Sequence, residues 1–185
     1  MADAAPTAER GVTRRVFFAL WPDAATAAGL HARARALHAE CSGRAMRRDT
    51  LHLTLAFVGN VPQDGIARLE HVAAEVRGAP FVLELDQLGA WHRNRILWTS
   101  ASSAPQALVA LADALALRLR EAGFVLEDRA FAPHITLVRN ARAAPMAQTC
   151  PVLRWPVASF VLVVSEPTPA GARYRVLGRW PLSCK

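Results

Sequence analysis

One short stretch occurs twice in this chain, and the repetition restricts what the remainder can fold into. The first copy reads Leu51-His52-Leu53-Thr54-Leu55 and the second Pro133-His134-Ile135-Thr136-Leu137. Both read as strand, because Leu53, Leu55 and Phe57 alternate with His52, Thr54 and Ala56, and Ile135 and Leu137 alternate with His134 and Thr136. Side chains two apart on a strand share a face. Each copy therefore buries aliphatic residues on one side and presents an imidazole beside a hydroxyl on the other. A single His/Thr pair on a strand signifies little, since most simply face water. Two copies with matching neighbours, one per half of the chain, carry the functional signal.

Two imidazoles can divide acid–base work, because the group titrates near neutrality. One unprotonated ring can take a proton from an attacking water while a protonated partner gives one to the leaving oxygen. That suits in-line displacement at phosphorus, with threonine hydroxyls donating hydrogen bonds to the non-bridging oxygens. A strained cyclic phosphodiester is the easier substrate for such a pair. The chemistry requires no metal, and no H-E-x-x-H, Walker A or dinucleotide fingerprint is present. No acidic residue flanks either motif at ligand spacing. The expectation is no cofactor and no metal.

The 185 residues suit one compact domain of two similar halves, and 52% hydrophobic content supports a folded core. The net charge of +7 favours an anionic substrate, but Lys185 is the sole lysine and no basic run resembles a nucleic-acid arm. Cys41, Cys150 and Cys184 are odd in number and lack a C-x-x-C pair, so they read as free thiols in a reducing compartment. Residues 1–13 form an Ala-rich polar tail without the features of a signal peptide. The apolar run 16–21 is too short to span a bilayer. A cytoplasmic monomer with no membrane attachment is expected, with residues 14–185 as a single bilobal domain.

Along the chain, residues 15–20 read as a strand with Val16, Phe18 and Leu20 on the core face and Phe17 on the other. Asp23 caps a helix running to about residue 40, on which His31 and His38 lie on a solvated face. The basic loop 41–49 leads to the first His-x-Thr strand, which Gly59-Asn60 ends. A helix over 63–77 is closed by Gly78. Strands over 81–88 and 95–100 are joined by a turn at 91–94, where His92 is exposed. Ser103 caps a helix to about residue 122 with a Leu108, Leu111, Leu115 and Leu119 stripe. The second motif strand follows, then a proline-containing loop over 141–156. Strands over 157–165 and 174–180 pair around a turn at 167–171. This order fits an α+β fold: two pseudo-symmetric lobes of largely antiparallel sheet with outer helices, facing each other across a central cleft.

The paired His-Leu-Thr-Leu and His-Ile-Thr-Leu motifs resemble those of the two-histidine phosphoesterase superfamily. More narrowly, the chain is similar to the bacterial RNA 2′,3′-cyclic phosphodiesterases of the 2′-5′ RNA ligase family. The similarity includes Arg15-Val16-Phe17-Phe18-Ala19-Leu20, Arg95-Ile96-Leu97-Trp98, Arg129-Ala130-Phe131-Ala132-Pro133-His134 and the closing Arg173-Tyr174 and Arg179-Trp180. It implies that His52 is the proton donor and His134 the proton acceptor, with Thr54 and Thr136 holding the phosphate; the motif's own symmetry leaves these roles open. It also implies hydrolysis of a terminal RNA or nucleotide 2′,3′-cyclic phosphate to a 2′-phosphomonoester, with 2′-5′ ligation as the weak reverse. Arg139 is a phosphate contact by the same similarity. Strand parity places it opposite His134 and Thr136 unless a bulge or strand end falls near Val138. Phe17 has cleft-facing parity, open either to stacking on a base or to plain packing. Arg129 reads as structural. The rival readings are a physiological 2′-5′ ligase, a non-catalytic RNA-end-binding module and a histidine-ligated metalloenzyme.

Overall fold

The computed structural model describes residues 13–143, 148–169 and 171–183. The tail expected over 1–13 lies outside them except for Thr13, which opens the first strand. The element order is β1 (Thr13–Leu20), α1 (Ala24–Cys41), β2 (Arg44–Ala45), β3 (Leu53–Pro62), α2 (Gln63–Glu75), β4 (Phe81–Trp91), β5 (Ile96–Ser100), α3 (Gln106–Glu121), β6 (Ile135–Arg139), β7 (Gln148–Val157), β8 (Ser159–Thr168) and β9 (Gly171–Pro181). Among the described residues the strands form one nine-stranded sheet in the order β7-β4-β5-β6-β3-β1-β8-β9, with β2 pairing to β6. Every pairing is antiparallel.

The two halves of the sheet meet at β3 and β6, where Leu53 pairs with Ile135. Each histidine strand closes the same unit: β1-α1-β3 in one half and β5-α3-β6 in the other. The helices cross over, since α1 packs on β6 and α3 packs on β3. All three contribute to one core, against which Val16, Phe18 and Leu20 of β1 are buried as parity predicts. The leucine stripe of α3 is likewise fully inside, each side chain contributing about 2 kcal/mol by leaving water. The opposite face of the sheet holds a smaller cluster of Phe17, Ala19, Val161 and Val163, flanked by Trp21, Phe57 and Tyr174.

Local chemistry explains the boundaries. Asp23 Oδ1 accepts the Thr26 N–H at 2.7 Å, capping α1 and holding the Asp23 carboxyl below its ordinary range. On α1, Arg33 donates to the Leu85 carbonyl, Thr99 Oγ1 and the Pro151 carbonyl, tying the helix to β4, β5 and β7.

Several expectations need correction. β3 does not stop at Gly59-Asn60; Gly59 adopts φ +88, which a residue lacking Cβ tolerates, and pairing resumes to Pro62. The expected loop over 141–156 contains strand β7. Its prolines are accommodated because β7 is an edge strand with one unpaired side. No side chain caps α3, whose first turn follows Pro105 directly, so Ser103 is not its cap. Helix α2 ends at Glu75, before Gly78. The basic loop contains β2 and a 3-10 turn over Arg48–Thr50. His31 is not simply solvated: its Nδ1 bonds the Met46 carbonyl at 3.1 Å.

Candidate active site

Each motif histidine sits just before its strand, and each is held in the same way. His52 Nδ1 lies 2.7 Å from the Thr50 carbonyl and His134 Nδ1 lies 2.8 Å from the Ala132 carbonyl. A carbonyl oxygen only accepts, so both Nδ1 atoms carry the proton and donate it. Both rings are thereby fixed in the tautomer whose basic atom is Nε2. The carbonyl lies two residues upstream in both motifs, a symmetry invisible in the side-chain pattern.

The same repetition extends into the strands. Pairing of β1 with β3 skips Leu55, and pairing of β5 with β6 skips Leu137. Each motif therefore carries a bulge at its fourth residue. The alternation breaks there: Leu55 and Ala56 are both buried, as are Leu137 and Val138. After a bulge the inside and outside positions exchange. Arg139 consequently returns to the face of His134 and Thr136. A pocket of about 70 Å³ is lined by His52, Thr54, His134, Thr136 and Arg139, together with Met46 and Thr50. Simple parity misplaced Arg139 because the bulge at Leu137 has no turn residue to announce it; the consecutive apolar pair after each threonine was the available signal.

Phe17 faces this side of the sheet, but it is only 4% exposed. Its ring lies 4.8 Å from the His52 ring and 5.3 Å from Tyr174. It packs the imidazole and leaves little surface on which a base could stack. Trp21 stacks on His52 at 5.6 Å with 6° between planes, and Tyr174 meets the same ring edge-on at 5.2 Å. Trp91 approaches His134 edge-on at 4.4 Å. Sequence reasoning assigned no site role to Trp21, Trp91 or Tyr174, since each comes from an element distant in sequence from the histidine it touches. Arg129 pairs with Glu127 at 2.9 Å and lines a hollow beside His134.

Burial pushes the His52 imidazole down to about 4; its bond to the Thr50 carbonyl opposes this, and the charges of Arg139 and His134 lower it further. His134 is also lowered, by burial first, against the Ala132 carbonyl, then by Arg129 and Arg139. At neutral pH both rings are therefore neutral beside the Arg139 guanidinium. An anion entering between them reverses the balance, since negative charge favours the imidazolium. Among the described residues no three His, Cys, Asp or Glu side chains converge as metal ligands.

Paired His-x-Thr strands closing on one anion-sized pocket define the two-histidine phosphoesterase class. A model of the 2′-5′ RNA ligase superfamily matches residues 21–167, and the chain belongs to that family. An Escherichia coli protein named RNA 2′,3′-cyclic phosphodiesterase is 36% identical over 144 residues, covering 77% of this chain and 81% of the relative. A Thermus thermophilus protein of the same name is 34% identical over 149 residues, covering 71% of this chain and 72% of its own. The crystal structure of E. coli LigT complexed with 3′-AMP superposes with a TM-score of 0.81 at 34% identity, covering 94% of this chain and all of that one.

Proposed function

We propose that this chain hydrolyses the terminal 2′,3′-cyclic phosphate of RNA to a 2′-phosphomonoester without a metal. The observation that carries the reading is the shared pocket, in which both histidines, both threonines and Arg139 surround a space the size of one phosphate. His134 Nε2 takes a proton from water as its oxygen attacks phosphorus. The P–O3′ bond breaks on the opposite side, and His52 Nε2–H gives its proton to the departing O3′. Thr54, Thr136 and Arg139 hold the non-bridging oxygens as charge builds on them. The division of roles between the histidines comes from the family resemblance. His52 enters the cycle protonated because the cyclic phosphate's own charge favours the imidazolium over the neutral ring.

The names of the bacterial relatives support the substrate class. Cytoplasmic residence and action as a monomer belong to the same reading. Cys41 and Cys150, both free, suit a reducing compartment, and no helix among the described residues is long and apolar enough to cross a membrane. The test is turnover of a 2′,3′-cyclic nucleotide in the presence of a chelator. Turnover is expected to persist in the wild type and to fall by about 10²–10⁴-fold in His52→Ala and in His134→Ala. Binding without turnover would reduce the protein to an RNA-end-binding module. Loss on chelation would make it a metalloenzyme.

A further inference from the structure

The catalytic pocket opens onto two hollows of opposite character. One, of about 340 Å³, shares Met46, Thr50 and Arg139 with the pocket and is lined further by Arg44, Arg47 and Tyr174. It lies on the His52 side, since Thr50 and Tyr174 both touch that ring. Among the described residues three guanidiniums line it and no carboxylate does; Arg47 has Asp49 at 3.0 Å, an exposed pair of little strength. The other hollow, of about 310 Å³, shares Thr54 and His134 with the pocket. There Asp113 and Glu127 offset Arg120 and Arg129. The difference begins in the motifs, because the fifth residue after the histidine is Phe57 in one and Arg139 in the other.

An RNA chain brings one negative charge per nucleotide, and its affinity for a groove follows the cations it meets. In-line displacement also puts the ribose and the attacking water on opposite sides of phosphorus. We propose that the RNA upstream of the cyclic phosphate runs over the Arg44–Arg47–Tyr174 groove, which binds the penultimate phosphodiester and makes oligonucleotide ends better substrates than cyclic mononucleotides. This rests on the hydrolytic reading above. It also gives a structural reason for the donor role of His52, because the ribose then lies on the His52 side and water on the His134 side.

The experiment compares kcat/KM for 2′,3′-cyclic AMP with that for a short oligoadenylate ending in the same cyclic phosphate. The oligonucleotide-to-mononucleotide ratio is expected to fall about tenfold in Arg44→Gln and in Arg47→Gln, the worth of one partly exposed charge-assisted contact. The salt dependence of the oligonucleotide reaction is expected to lose about 0.7 in log–log slope with each such variant. Arg44→Lys, which keeps the charge, is expected to retain the slope and guards against a merely structural loss. A ratio unchanged in both glutamine variants, or one that falls in Arg129→Gln instead, overturns the proposal. Failure of the wild type to hydrolyse either substrate would sink the hydrolytic reading itself, which is a separate result.

Discussion

Leu53 and Ile135 pair across the seam of the sheet, and each is the residue directly after a motif histidine. The bridge thus fixes the spacing of the two imidazoles by backbone hydrogen bonding. It is the single pairing recorded between the two histidine strands among the described residues. The crossed helices reinforce the seam: α1 leaves β1 yet packs on β6, and α3 leaves β5 yet packs on β3. Neither half can move far without disturbing a helix belonging to the other.

Anion binding should be coupled to proton uptake. His52 is held near 4 mainly by burial, and a bound anion opposes that depression. Inorganic phosphate is therefore expected to raise the imidazole midpoints and to bind more tightly as pH falls from 7 toward 5. Imidazole proton shifts followed by NMR across a pH titration, with and without phosphate, check this; unmoved midpoints would contradict it.

Arg139→Gln should act in two directions at once. Its positive charge lowers both histidines, so its removal is expected to raise both midpoints. On the proposed mechanism its loss also removes a charge-assisted contact to phosphate, for an expected fall in kcat/KM of about 10–100-fold. Paired pH–rate profiles of wild type and variant measure both.

The depressed His52 carries a stability consequence. The unfolded chain binds a proton near 6.5 and the folded chain only near 4, so protonation between these values favours unfolding. Stability is expected to be whole above pH 6.5 and to decline as pH falls to 4, by up to about 3 kcal/mol. Denaturant melts of wild type and His52→Gln across that range test this, the variant being expected to show the flatter dependence.

Gly89→Ala should destabilise the sheet. Gly89 pairs with Trp98, and a Cβ there would overlap the indole. Overpacking of this kind costs about 1–3 kcal/mol, read in thermal melting as about 2–4 °C per kcal/mol.

Much of this was legible from the residues. The repeated His-x-Thr stretch, the core face of β1 and the leucine stripe of α3 follow from periodicity, which burial enforces. The strand around Pro151 and Pro156 was not legible, because proline reads as a breaker unless the strand is known to lie at an edge, and edge position is a property of the whole sheet. Arg139 was hidden by the bulge at Leu137, and the aromatic walls of Trp21, Trp91 and Tyr174 by their distance in sequence from the histidines.

The regiochemistry of ring opening is the most direct measurement. If the two rings flank one phosphorus as proposed, a single P–O bond is aligned with the proton donor; with O3′ as the leaving atom, 31P NMR of an RNA dinucleotide 2′,3′-cyclic phosphate after reaction should show the 2′-phosphomonoester alone. A mixture of the 2′- and 3′-phosphomonoesters would mean that the imidazoles do not bracket the phosphate in line, and a 3′-phosphomonoester alone would contradict the departure of O3′ toward His52.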